Sequence, residues 1–239
     1  MTVPLLSVQS VSEVALLQPF FGGLPFILDV KDPEAGTLGA PRPHVLAGIA
    51  ARVGGRCPLS IALGDLGYQP GTAALAAQAA LTYKPSYLKV GLNLPGPARM
   101  ATEVLAAVQE VLTEQGAETL LVAAGYGDYR RQGTLSPSGM IEAAVAGGAT
   151  IVLLDTFSKQ GETLFDHLPP SELAQVISEA HAAGLGIGLA GALGPSEVPA
   201  LLEIEPDFLG FRGCLTCGHR SDTLDPQRVR ALLHCFDGR

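Results

Sequence analysis

Phe26-Ile27-Leu28-Asp29-Val30-Lys31-Asp32-Pro33-Glu34-Ala35-Gly36 is an apolar run that ends in a lysine and passes at once into turn chemistry. Side chains alternate faces along a strand, so a strand over Phe26–Lys31 points Asp29 and Lys31 the same way. A carboxylate and an ammonium presented together at a strand end suit acid/base work or an amine nucleophile. The arrangement recurs in Tyr87-Leu88-Lys89-Val90-Gly91, and Lys159 follows soon after Leu153-Leu154-Asp155-Thr156.

Outward from this stretch, short apolar runs alternate with Ala/Leu-rich helical patterns along the whole chain. Strands are expected over Pro4–Val8, Phe26–Lys31, Leu59–Gly64 and Tyr87–Leu92, then over Thr119–Ala124, Thr150–Thr156, Gly186–Ala190 and Phe208–Arg212. Helices are expected near Ser12–Gln18 (capped by Ser10 or Ser12), His44–Val53 and Thr72–Leu81, and from Pro97 to about Gln115. Four more follow near Ser138–Ala146, Ser171–Ala183, Pro195–Leu202 and Pro226–Phe236. Eight strand–helix units close a parallel barrel, and short continuous apolar strands fit a sheet buried on both faces. The expectation is α/β, a single-domain (β/α)8 TIM barrel over residues 1–239. A doubly wound open sheet competes, but it wants a glycine-rich loop after the first strand, and Val8-Gln9-Ser10-Val11 is not one. The polar, Gly-rich loops follow strands, which places function at the barrel's C-terminal mouth.

Composition narrows the classes. Apolar residues make up 47% of the 239 and charged residues 16%, enough for a large core. A net charge of -8 argues against a nucleic-acid or anionic-membrane surface. No apolar run has the length of a membrane span, and Met-Thr-Val-Pro-Leu-Leu lacks a basic leader, so a cytoplasmic location is expected. The apolar helix faces would support a homo-oligomer.

Of the 15 Lys+Arg, only Lys31, Lys84, Lys89 and Lys159 are lysines, and three of them lie at or just beyond strand ends. Lysine, unlike arginine, can lose its proton when desolvated and attack a carbonyl. Strands two, four and six alternate round a barrel, so Lys31, Lys89 and Asp155 converge at the mouth with Lys159 close by. Clustered ammonium groups favour a neutral amine for Schiff-base formation, while Asp29 and Asp155 orient the lysines or shuttle protons. Lys84, beside Pro85, reads as a surface residue.

Phosphate is expected at the backbone of the loops after strands seven and eight, at Gly191, Ala192, Gly194 and Gly213, with Arg212 adding a bidentate charge. Cys214-Leu215-Thr216-Cys217 lacks the second pair that would make a zinc site, so no metal and no cofactor are expected.

These residues resemble a known family, the (5-formylfuran-3-yl)methyl phosphate synthases, also called 4-(hydroxymethyl)-2-furancarboxaldehyde-phosphate synthases. The likeness is carried by residues 28–39, Gly-Asp-Leu-Gly-Tyr-Gln-Pro-Gly-Thr-Ala (64–73), Tyr-Leu-Lys-Val-Gly (87–91) and Val-Ala-Ala-Gly-Tyr-Gly-Asp (122–128). Leu-Asp-Thr (154–156), Lys159, Thr163-Leu164-Phe165-Asp166 and Leu-Ala-Gly (189–191) extend it over nearly the whole chain. The resemblance implies a barrel lyase of methanofuran or methylofuran biosynthesis that condenses two glyceraldehyde 3-phosphates into a furan aldehyde phosphate, releasing phosphate and water. It assigns the Schiff base to Lys31 and the proton acceptor to Lys89, and matches Lys159 to a family lysine. Gln69 departs from the pattern, since archaeal members carry a lysine there. The residues themselves also admit a class I aldolase on another phosphorylated aldehyde, a non-covalent phosphate-barrel decarboxylase or epimerase, and a non-catalytic barrel that binds a phosphorylated metabolite.

Overall fold

Strand residues facing outward are apolar: Leu6, Leu28, Ile61, Val90, Val152 and Leu209 are almost completely buried in one continuous core between sheet and helices. That pattern closes the sheet. In the computed structural model, which describes residues 1–158 and 161–236, eight parallel strands form a closed barrel in the order β1 to β8.

The elements run β1 (Val3–Val8), α1 (Val11–Leu17), β2 (Ile27–Val30), α2 (Pro43–Val53), β3 (Leu59–Leu66), α3 (Pro70–Leu81), β4 (Tyr87–Leu92) and α4 (Ala98–Glu114). They continue with β5 (Leu120–Tyr126), α5 (Tyr129–Gln132), α6 (Pro137–Ala146), β6 (Ile151–Asp155), α7 (Leu164–His167), α8 (Pro170–Ala182), β7 (Gly186–Leu189), α9 (Val198–Glu203), β8 (Phe208–Phe211) and α10 (Pro226–His234). Among the described residues no helix is long and apolar enough to cross a membrane.

The barrel interior is layered. Its lower part is packed by a small apolar cluster that includes Ala62, Val122, Ile151 and Leu153, with Tyr87 and Phe208 meeting edge to face at 6.0 Å. One pleat higher the inward positions turn polar: Ser7 pairs in register with Asp29 on the neighbouring strand, and Lys89 and Asp155 occupy β4 and β6. The barrel is therefore a plug below and a charged cup above.

Several elements differ from expectation. β2 stops at Val30, although the Lys31 N–H still donates to the Val8 carbonyl at 3.1 Å. β3 runs on to Leu66 through a register shift between Ala62 and Asp65, a bulge that re-aims Asp65. Asp65 then faces Gly91, where a β-carbon would lie 2.7 Å from its Oδ1, so only glycine fits. β5 continues to Tyr126, which pairs with Asp155, and the loop expected after it holds the single turn α5. The Pro195–Leu202 helix begins only at Val198, and the long loop after β6 contains α7, opened by a Thr163–Asp166 capping box. The Ser10 cap is present, accepting from the Glu13 N–H.

Candidate active site

The cup at the C-terminal end of the barrel is a cavity of about 400 Å³, lined by Asp29, Lys31, Lys89 and Asp155 among others. Their convergence follows from topology, because β2, β4 and β6 are alternate strands and their inward ends share the lumen. Lys89 makes a direct ion pair with Asp29 Oδ1, both side chains all but inaccessible, while Asp29 Oδ2 accepts from Ser7 Oγ at 2.9 Å. Lys31 Nζ lies 3.8 Å from Asp155 Oδ2, and Asp155 Oδ1 accepts from the Thr156 N–H at 2.7 Å. Burial alone would push the Asp29 carboxyl up, yet the Lys89 and Lys31 charges and the hydrogen bonds from Lys89 and Ser7 outweigh it and hold it below its ordinary value. The arrangement can present an amine to a carbonyl and hold or move a proton at a neighbouring carboxylate. Lys159 lies outside the described residues.

The loop after β7 supplies backbone. Gly191 has φ +108°, and a β-carbon there would sit 2.8 Å from Thr156 Cγ2; Ala192 takes the left-handed conformation at φ +52°. Both line the cavity, as does Gly213 after β8. Gly194 does not line it, and its N–H donates to Glu197 Oε2 at 2.8 Å, so it has no donor left for a phosphate.

Arg212 also departs from expectation. Its Nη1 and Nη2 fork grips Glu13 at 2.8 and 3.0 Å, and the remaining donors go to the carbonyls of Ser7, Arg220 and Asp222. All five N–H groups are thus committed to protein, and Arg212 acts as a clamp on the loop after β8 rather than on a ligand. Glu13 is 1% exposed and Arg212 7%, so a Glu13→Gln variant leaves a buried guanidinium without its counter-charge. It is expected to unfold about 3–5 kcal/mol more easily in urea, whereas a Glu13→Met, Arg212→Met pair recovers much of that loss.

Sequence reasoning missed four further groups here. Glu13 sits on the buried side of α1, a charge at an apolar position, which is a legible signal. Asp65 holds the loop after β2 through the Leu38 N–H (3.1 Å) and accepts from the Tyr126 hydroxyl; burial, and then Asp65 itself, push that phenol well above its ordinary value. Asp128 accepts from the backbone N–H groups of Phe157 and Ser158 at 2.7 and 3.0 Å; these bonds overcome burial and hold its carboxyl below the usual range. The fourth is Arg220, which lines the cavity from the loop after β8. Asp65 and Asp128 lie in segments that carry the family resemblance, but their spacing gives neither a role, and no local pattern marks Arg220.

Other expectations fall into place around the cup. Gln69 is exposed at the start of α3 and does not line the cavity, and Lys84 is exposed. Cys214 borders the cavity while Cys217 is exposed near Asp225, so the two thiols diverge. Burial pushes the Cys214 thiol up to about 12. Among the described residues, no group of three or more His, Cys, Asp or Glu side chains is placed to hold a metal ion.

Fold and site together define a class: a (β/α)8 barrel carrying lysine–carboxylate pairs in a cup at its C-terminal mouth. Solved structures share the architecture at low identity. 3-Hexulose-6-phosphate synthase from Salmonella typhimurium superposes with a TM-score of 0.63 at 13% identity, covering 98% of this chain and 100% of that one. Phosphoribosyl anthranilate isomerase from Thermus thermophilus gives 0.60 at 16%, covering 99% and 98%. Sequence is more specific. The 4-HFC-P synthase family profile matches residues 5–233. The (5-formylfuran-3-yl)methyl phosphate synthase of Methanosarcina mazei is 37% identical over 207 residues, 87% of this chain and 88% of that protein. The synthase of that name from Archaeoglobus fulgidus is 36% identical over 236 residues, 98% and 99% of the two chains. This chain belongs to the 4-HFC-P synthase family.

Proposed function

We propose that this protein is a lyase that joins two glyceraldehyde 3-phosphates into (5-formylfuran-3-yl)methyl phosphate, a furan of methanofuran or methylofuran assembly, with loss of one phosphate and two waters. The observation that carries this reading is the pairing of Lys31 with Asp155 and of Lys89 with Asp29 in one cavity. The product named in its relatives supports this reading.

In this reading the Lys31 amine attacks the aldehyde of the first triose phosphate and expels water, giving an iminium that withdraws electrons from the neighbouring C–H bond. Lys89, in contact with the Asp29 carboxylate, moves that proton. The resulting enamine is the carbon nucleophile for the second triose; phosphate loss, ring closure and loss of two waters give the aromatic ring, and water then hydrolyses the imine, releasing the furan aldehyde and the free Lys31 amine. Asp155 steers the Lys31 ammonium and takes or returns protons as water leaves. Gly191, Ala192 and Gly213 offer backbone to one phosphate. The sequence alternatives remain as outcomes of the test.

The test is incubation with glyceraldehyde 3-phosphate, with and without borohydride, followed by mass spectrometry of peptides and small molecules. A reduced adduct on Lys31 and a furan aldehyde phosphate in the untrapped sample are expected, with one phosphate released per two trioses consumed. An adduct with a non-furan product would point to an ordinary aldolase. Absence of both would overturn the covalent reading in favour of a non-covalent phosphate barrel.

A further inference from the structure

The two arginines of the loop after β8 differ in one respect that matters for ligands. Among the described residues Arg212 spends all five donors on protein, whereas Arg220 spends one: its Nη2 donates to the Gly36 carbonyl at 3.1 Å. No carboxylate among the described residues lies within ion-pair distance of Arg220. The carboxylates whose charges reach it are otherwise engaged, Asp65 with Tyr126 and the Leu38 N–H, Asp155 with the Thr156 N–H and Lys31. Arg220 nevertheless lines the cavity and is half-buried.

Its placement is built rather than incidental. Three consecutive carbonyls of its loop are gripped by side chains: Arg220 O by Arg212 Nε (2.7 Å), Ser221 O by Gln9 Nε2 (2.6 Å) and Asp222 O by Arg212 Nη2 (2.9 Å). The loop is tied again by the pairing of Thr216 with Leu224. A segment held at this many points presents its guanidinium in one place, as a preorganised binding group requires. The contact with Gly36 puts that guanidinium against the loop that follows Lys31. Gly36 follows β2, and β2 is three strands round the barrel from β7, whose loop carries Gly191 and Ala192. The cup therefore offers anion donors beside the loop after β2 as well as in the loop after β7.

We propose that Arg220 forms a second anion subsite, separate from the backbone at Gly191–Ala192, and that it binds the phosphate of the second triose. This rests on the reaction given above, which brings two phosphorylated substrates into one cavity. The guanidinium fork matches phosphate oxygens in a bidentate way, and four of its five donors have no partner among the described residues. Burial already pulls the Arg220 guanidinium below its ordinary value, with Arg212 adding repulsion against the pull of Asp155 and Asp65. A bound dianion relieves both costs. Arg212, paired with Glu13, is the positioning residue behind it.

The experiment compares wild type with Arg220→Gln and Arg220→Lys. Calorimetric titration with inorganic phosphate is expected to give two sites per chain in the wild type and one in Arg220→Gln. With glyceraldehyde 3-phosphate, product formation by Arg220→Gln is expected to lose about 10- to 100-fold in kcat/KM, the effect of losing a charge-assisted bidentate contact. The aldehyde concentration that half-saturates borohydride trapping stays within about twofold, because imine formation needs only the first substrate. Arg220→Lys, with charge but no fork, falls between. A variant that keeps both phosphate sites, a wild type with a single site, or trapping that weakens in step with turnover would each overturn the subsite. The phosphate count needs no turnover, so a wild type that makes no furan would defeat the functional reading and leave Arg220 to be judged by binding alone.

Discussion

Lys31→Ala is expected to yield no borohydride-trapped adduct and to lower kcat/KM by about four orders of magnitude, the usual scale for loss of a covalent nucleophile. Lys31→Arg is expected to fail almost as badly. Arginine keeps the charge beside Asp155 but does not give up its proton, so it has no lone pair with which to attack a carbonyl. The pair of variants separates two explanations of any loss. If positive charge at the end of β2 were all that mattered, as in a barrel working through ionic contacts, arginine would restore most of the activity. Circular dichroism on both variants checks that the barrel is intact. Substantial turnover by Lys31→Ala would remove Lys31 from the chemistry, and peptide mapping of any remaining adduct would then locate the lysine that takes its place.

The second large effect is on stability. Asp29 and Lys89 are 2% exposed and in direct contact inside the barrel, above the apolar plug. Asp29→Asn removes the negative charge and leaves the Lys89 ammonium in the lumen with no carboxylate in contact. The expected loss is about 3–5 kcal/mol, typical of breaking one side of a buried pair. For a chain of this size that corresponds to a melting temperature lower by roughly 10 °C. The pH dependence has a definite sign. The Asp29 carboxyl is held below its unfolded value, so its contribution is fully present above about pH 3.9 and fades as pH falls through the lower, folded value. The gap in stability between wild type and Asp29→Asn should therefore be widest near neutrality and shrink in acid. A gap that is constant from pH 3 to 7 would mean that the pair contributes nothing through its charge.

Much of the fold was legible along the chain because its determinants are local. Strand-length apolar runs, helix caps such as Ser10 and the repeat of eight units are set within a few residues of where they act. Once eight units are counted, closure of the barrel brings β2, β4 and β6 together, so the meeting of Lys31, Lys89, Asp29 and Asp155 follows from strand parity and order. Boundaries were less legible where a tertiary partner extends a strand. Tyr126 belongs to β5 because Asp155 pairs with it, and Asp65 points inward because a bulge and Gly91 make room.

The arginines mark where local reading stops. Arg212 sits at a strand end beside a glycine, the position from which an anion clamp would be expected, and Arg220 lies eight residues on in a loop with no pattern of its own. Nothing near either residue reveals Glu13, whose carboxylate is 199 positions from Arg212 in sequence and in contact with it in space. That contact consumes the first guanidinium and fixes the loop that presents the second. The sequence by itself determined the barrel and the lysine–carboxylate set at its C-terminal mouth, since strand period and unit count dictate them. Only the tertiary structure decided which of the two arginines in the loop after β8 keeps uncommitted donors among the described residues, because donor availability depends on every partner within about 3 Å, however distant along the chain.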